Sequence, residues 1–145
     1  MKKIIFSILL IFSVVALVAC SSTTPTKTTP QTQFPSSTQD LQDGQLSATI
    51  SPVYGTELRG TATLQITQVP ENTVNVVVLL TPTSGTIDDV FDSPKTIAKI
   101  LSAEPQSMQL NTGALPEGQY RLQIIASGAG DESTIALSES YYQVK

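Results

Sequence analysis

The sequence predicts an all-β domain, a two-layer sandwich of about seven short antiparallel strands, over residues 44–145. Several segments of this range alternate apolar with polar residues, the period of a strand that buries one face. Clusters of Pro, Gly, Asn and Asp separate these segments, as turns do in β-rich domains. No segment of the range carries a clear helical period.

The first half of the domain contains four of the predicted strands. Residues 46–50 and 58–67 alternate strictly, which indicates strands with one buried face. Residues 74–80 are apolar at both parities, as is typical of a central strand. Residues 96–101 fit either a short helix begun at Ser93-Pro94 or an edge strand, and their β-branched side chains favour the edge strand.

The second half contains three strands, of which the last is irregular. Residues 108–110 and 120–126 alternate regularly, and a glycine-rich turn near Gly130 predicts a closing hairpin. The final strand begins with apolar residues at odd positions and ends with them at even positions. A β-bulge over residues 138–140 would reconcile the two parities.

Met1 is followed by two lysines and by a short apolar run over residues 4–18, which suits a signal peptide better than a membrane span. The sequence LVAC at positions 17–20 resembles the lipobox of bacterial lipoproteins. The resemblance implies cleavage between Ala19 and Cys20, a diacylglyceryl group on the Cys20 thiol and an acyl group on the new amino terminus. An ordinary secretory signal with a chance cysteine is the alternative.

Lipidation of Cys20 predicts where the mature chain resides. Two or three acyl chains anchor a protein stably, at about 0.8 kcal/mol for each buried CH₂. Position 21 is Ser, not the Asp that resembles an inner-membrane retention signal. We therefore expect the outer membrane in a source that has one, and otherwise the outer face of the cell membrane.

Between the leader and the domain, residues 20–43 are rich in Ser, Thr, Pro and Gln and nearly free of apolar side chains. Such a composition cannot form a core and predicts a disordered linker, although it is also found in glycosylated stalks. The domain organisation expected is thus a signal peptide over 1–19, a lipidated linker over 20–43 and one domain over 44–145.

Composition excludes several functions. The formal net charge is −4, and removal of the leader with its two lysines leaves about −6, which argues against a nucleic-acid partner. Histidine is absent and Cys20 is the single cysteine, which excludes His/Cys zinc sites, Ser-His-Asp triads and disulfides within the chain. Ser93 or Ser102 could pair with Lys95 or Lys99, but no feature would lower a lysine pKa, so we do not expect an enzyme.

Two motifs resemble those of bacterial Ig-like domains. Residues 52–64, PVYGTELRGTATL, are similar to the opening of that family, and residues 115–122, LPEGQYRL, to the entry to its sixth strand. Residues 127–131 echo only part of the stretch that follows in the family. The resemblance implies an Ig-like β-sandwich, a fold used for spacers, adhesins and accessory modules of exported proteins.

Tyr120 stands at the entry to the predicted sixth strand. In this position its ring would be buried and its hydroxyl could bond to loop backbone, as in a tyrosine corner.

Asp88, Asp89 and Asp92 lie close together in one predicted loop. Hard oxygen ligands at this spacing could bind Ca²⁺, although the spacing is not that of an EF-hand. A solvated loop is the alternative.

One face of the predicted sheet carries outward apolar residues. If Val76 and Ile124 point inward, Val77, Leu79 and Ile125 point outward and form one exposed strip. The closing hairpin would add Tyr141 beside Arg121. An exposed apolar strip often marks a contact site, but outward Val and Ile also simply favour strand formation.

These features lead us to expect a lipid-anchored, non-catalytic Ig-like binding or spacer module. The alternatives are a domain that binds carbohydrate or an envelope polymer, and an accessory subunit of an envelope complex. The absence of Trp weakens the carbohydrate alternative. No cofactor is expected apart from the lipid on Cys20 and the candidate Ca²⁺.

Overall fold

The computed structural model describes residues 35–130 and 134–145. The predicted signal peptide, the site at Ala19 and Cys20, and most of the predicted linker lie outside these residues. Within them, no helix is both long enough and apolar enough to cross a membrane. The described chain forms nine strands and one 3₁₀ turn, Thr112–Ala114: β1 Ser36–Asp43, β2 Leu46–Tyr54, β3 Glu57–Leu58, β4 Thr61–Gln68, β5 Asn75–Pro82, β6 Ile97–Ser102, β7 Gln106–Asn111, β8 Gly118–Ser127 and β9 Thr134–Val144.

The nine strands form one mixed sheet that is nearly closed into a barrel. The order is β6-β5-β8-β9-β3-β2-β4-β7, with β1 paired to β2 beside this path. The short β3 pairs in parallel with β9, and the other pairs are antiparallel. The all-β class is therefore confirmed, but the prediction of about seven antiparallel strands missed β1 and the parallel β3.

The predicted linker is wrong at its carboxyl end. Residues 36–43 form β1, which pairs antiparallel with β2 from Ser36↔Tyr54 to Asp43↔Leu46. Leu41 is the buried residue of this strand, with 3% of its surface exposed. Because β2 supplies the backbone hydrogen bonds, a polar segment with one apolar residue is sufficient to form a strand here.

The predicted strand over residues 58–67 is interrupted after Leu58. Gly60 adopts a positive φ of 65°, a conformation that side chains with a Cβ rarely adopt, and it separates β3 from β4. Its carbonyl accepts hydrogen bonds from Gly113 N at 2.8 Å and from Thr112 Oγ1 at 2.9 Å. The break lets β3 leave β4 and pair with β9.

The core follows the alternation of the strands. Every second residue is buried from Ala62 to Ile66 in β4 and from Tyr120 to Ala126 in β8, and β5 alternates in the same way over most of its length. A fully buried Leu, Ile or Val contributes roughly 1.5–3 kcal/mol relative to an exposed one. The largest of these buried aliphatic side chains are Leu46, Ile50, Leu58, Leu64, Ile66, Leu80, Leu110, Leu122, Ile124 and Val53.

Residues 97–102 form an edge strand, as predicted, since β6 pairs with β5 on one side only. Lys99 lies opposite the buried Val78, at the middle of this edge. A charged residue at an inward position of an edge strand opposes pairing with a further strand.

The bulge predicted over residues 138–140 is in the wrong place. The β8–β9 register is continuous from Gly118↔Val144 to Ala126↔Ala136, and it shifts only between Ala126 and Ser127. Even-numbered residues of β9 therefore face the core from Ala136 onward. Ile135 and Leu137 remain 41% and 39% exposed, so the apolar residues at odd positions are not core residues.

Tyr120 is buried as predicted, with 2% of its surface exposed, and its hydroxyl donates to Pro116 O at 3.0 Å. Burial raises the pKa of Tyr120. The hydrogen bond ties the loop before β8 to the core.

Candidate binding surface

The outward face of β6, β5, β8 and β9 carries four apolar side chains in one line across the sheet. Val77 pairs with Ile100 of β6 on one side and with Ile125 of β8 on the other. Ile125 in turn pairs with Leu137 of β9. Directly paired residues point to the same face with Cβ atoms about 4.5–5.5 Å apart, so these side chains are neighbours. We call Ile100, Val77, Ile125 and Leu137 the apolar row.

The apolar row is open to solvent, most of all at its ends. Ile100 is 60% exposed, and Leu137 is 39% exposed. Val77 and Ile125 are half-buried by their neighbours on the sheet. Leu79, also half-buried, follows Val77 on the same face and pairs with Ala98. The predicted strip of Val77, Leu79 and Ile125 is thus contiguous, and it extends onto both flanking strands.

A polar cluster around Glu139 borders the apolar row. Tyr141 donates its hydroxyl hydrogen to Glu139 Oε1 at 2.6 Å, and Gln123 Nε2 donates to Glu139 Oε2 at 3.0 Å. Arg121 Nη1 lies 3.9 Å from Glu139 Oε2 and pairs across the strands with Tyr141, as predicted. The Tyr141 hydrogen bond lowers the pKa of Glu139, and Gln123 and Arg121 lower it further, so the carboxylate is held in its charged form. Glu139 raises the pKa of Tyr141 in return.

A shallow depression lies beside this cluster, between the sheet and the loop that follows β5. Leu79, Ile87, Val90 and Arg121 are among the residues that line it. Thr83 holds the start of the loop in place, because its N–H donates to Gln119 O at 2.9 Å. The loop therefore lines one side of this depression, and Leu79 and Arg121 of the outward face line the other.

The acidic loop does not form the predicted Ca²⁺ site. Asp88, Asp89 and Asp92 line one depression, but within the described residues no three acidic, His or Cys side chains are grouped so that they could hold a metal ion. Asp89 Oδ1 instead accepts hydrogen bonds from the N–H groups of Phe91 and Asp92, at 2.9 and 3.4 Å. This carboxylate caps its own loop, which is the ordinary role of Asp in a turn.

The serine hydroxyls that the sequence offered for pairing with a lysine side chain accept other hydrogen bonds. Ser93 Oγ accepts from Lys95 N at 3.2 Å, and Ser102 Oγ accepts from Gln106 Nε2 at 2.8 Å. Both hydroxyls therefore serve as turn contacts.

Sequence reasoning missed Ile100 and Leu137. Extending the even-numbered core positions back from Tyr142 would have placed Leu137 on the outward face. Ile100 could have been found from the expected pairing of the edge strand with β5.

Compared with protein-family models, curated proteins and solved structures, the chain gives no match.

Proposed function

We propose that this chain is an exported, lipid-anchored protein whose domain is a non-catalytic Ig-like binding module, and that it binds a protein partner through the apolar row. The apolar row carries the proposal, because a contiguous apolar surface at a regular sheet position is typical of a contact site.

The strand order supports the Ig-like assignment. Ig-like sandwiches divide their strands between one group built on the second strand and one built on the third and sixth. Here β2, β4 and β7 correspond to the first group, and β5, β8 and β9 to the second. The β6 strand extends the second group, as an additional edge strand does in variable-type domains. Tyr120 lies near the start of β8, the position of the tyrosine corner in that fold.

The anchor is supported by the sequence LVAC and the apolar run before it. We expect wild-type chain to be recovered in the membrane fraction of a bacterial host, and the Cys20→Ser variant to be recovered without acyl groups and largely outside that fraction. Fractionation with mass spectrometry of the amino-terminal peptide measures both. Wild-type chain in the cytosol with its leader intact would contradict the anchor.

The binding surface is tested with Val77→Lys and Ile125→Lys in one chain. Burial of an apolar side chain contributes roughly 1.5–3 kcal/mol. Each 1.4 kcal/mol corresponds to a tenfold change in affinity, so the double variant should lose at least tenfold in binding. Wild-type complexes, captured by formaldehyde crosslinking in intact membranes, should be absent from the double variant.

Gln65→Lys with Gln109→Lys is the matched control. Both glutamines are exposed on β4 and β7, away from the apolar row, and the double change adds the same charge. This control should keep the complexes, and both variants should unfold cooperatively. Complexes that survive Val77→Lys with Ile125→Lys would show that the apolar row is not the contact.

A further inference from the structure

We propose that the occupant of the apolar row is a second copy of this chain, in a parallel dimer whose two-fold axis runs along the strands between β5 and β8. This inference rests on the proposed function and names its partner.

The charge of the face favours a second copy. Among the outward positions of β5, β6, β8 and β9, the charged residues are Arg121 and Glu139, which neutralise each other. The whole chain carries a formal charge of −4. Asp43 of β1 adds one carboxylate at the end of the row, where its Oδ2 accepts a hydrogen bond from Leu137 N at 3.0 Å. Two acidic copies repel each other through most of their surface, so this face of low charge is where they can approach at least cost.

The apolar row is self-complementary about the proposed axis. A two-fold rotation about an axis parallel to the strands does not change the position of a residue along the strands. The row of one copy therefore meets the row of the other. Val77 then faces Ile125 of the second copy, and Ile100 faces Leu137 of the second copy. A two-fold contact of this kind uses the same patch on both subunits. Packed sheets lie about 10 Å apart, a distance that these side chains fill.

Pairing through the sheet edge is less favourable than pairing through the face. Lys99 stands at the middle of β6, and an antiparallel pair of β6 strands would bring its ammonium group close to the equivalent group of the second copy. Like charges at this position oppose edge-to-edge association. The outward face carries no such obstacle within the described residues.

The position of the chain's entry into the domain suits a parallel arrangement. The described chain enters β1 at Ser36, which pairs with Tyr54 at one end of the sheet. The apolar row lies toward the other end, because Ile125 is next but one to Ser127, where β8 finishes. With the axis along the strands, both copies enter their domains at the same end, as anchorage in one membrane requires.

The size of the face indicates a weak dimer. Four strands of about eight residues cover roughly 500 Å² of sheet, below the 800 Å² per partner of a standard stable interface. Anchorage in one membrane raises the effective concentration of the second copy. Association is therefore best measured in intact membranes, without extraction into detergent.

The test uses the full chain in two forms, each fused after Lys145 to one fragment of a split luciferase and co-expressed in a bacterial host. One charge variant carries Ile100→Lys and Leu137→Lys, and the other carries Ile100→Glu and Leu137→Glu. Both positions are exposed, so the substitutions should not prevent folding. We expect either variant alone to lose at least fivefold in luminescence relative to wild type. Mixing the two should restore at least half of the wild-type signal, because opposite charges then face each other.

Restoration in the mixture supports a second copy, since an unrelated partner would not be regained by combining two defective chains. Gln65→Lys with Gln109→Lys should leave luminescence unchanged. Equal luminescence from wild type and both charge variants, or a mixture no brighter than its components, would overturn the inference. If the complexes crosslinked in intact membranes still depend on Val77 and Ile125 in that case, the proposed function stands with a different partner. If the complexes do not depend on Val77 and Ile125 either, both the dimer and the proposed function are wrong.

Discussion

Replacing Tyr120 by alanine is expected to lower the free energy of unfolding by about 3–5 kcal/mol, the usual range for truncating a buried aromatic side chain. The ring is one of the largest fully enclosed side chains in the core, and the hydroxyl donates to Pro116 O. Alanine would leave a cavity and release the loop before β8. Urea titration followed by circular dichroism measures the change, and an unshifted midpoint would contradict the role assigned to Tyr120.

Two phenylalanine substitutions separate the ring from the hydroxyl. Tyr120→Phe keeps the ring and should lose only about 0.5–1.5 kcal/mol, the contribution of one hydrogen bond. Tyr142 is the matched control, because it is equally buried but its hydroxyl has no hydrogen bond of normal geometry to the described residues. Tyr142→Phe should therefore leave stability unchanged or raise it.

The Tyr142→Phe variant should also change how the stability of the domain depends on pH. Burial raises the pKa of Tyr142 to about 12, and the Ser140 side chain offsets only part of this rise. Because the unfolded chain releases this proton near pH 10, the contribution of Tyr142 is complete below pH 10 and is lost as the pH rises toward 12. Tyr142→Phe should make stability less sensitive to pH in that window.

Replacing Leu41 by alanine is expected to cost about 2–4 kcal/mol, within the range for a buried Leu. Leu41 is 3% exposed and pairs with Ala48 in the β1–β2 register. The exposed Gln42, next in the same strand, is the control, and Gln42→Ala should change stability by less than about 0.5 kcal/mol. Equal unfolding midpoints for the two variants would return residues 36–43 to the linker.

The strands that could be predicted are those in which apolar and polar side chains alternate between the buried and the exposed face. The alternation in β4 and β8 predicts which face is buried, and Tyr120 could be placed from its position at a strand entry. The β1 strand has no such alternation, since Leu41 is its only buried residue. It forms because β2 offers hydrogen bonds to its backbone, an interaction between segments that local composition does not reveal.

The candidate surface could be predicted only for residues on strands that could be aligned with each other from the sequence. Val77 and Ile125 were placed together because both flank buried residues on strands expected to be neighbours. Leu137 was missed because a bulge over residues 138–140 was expected to turn it inward, whereas the register is unbroken from Ala136 to Val144. Proximity in sequence was also misleading for Asp88, Asp89 and Asp92, because the backbone conformation decides whether neighbouring carboxylates converge.

Photocrosslinking from the end of the apolar row tests the binding surface most directly. A photoreactive phenylalanine analogue at position 100, in full-length chain in intact membranes, should yield crosslinked protein products on irradiation. The same analogue at position 109, on the exposed face of β7, should yield at least tenfold less. Products of equal yield from both positions, or no product from position 100, would contradict the assignment of this face as the contact.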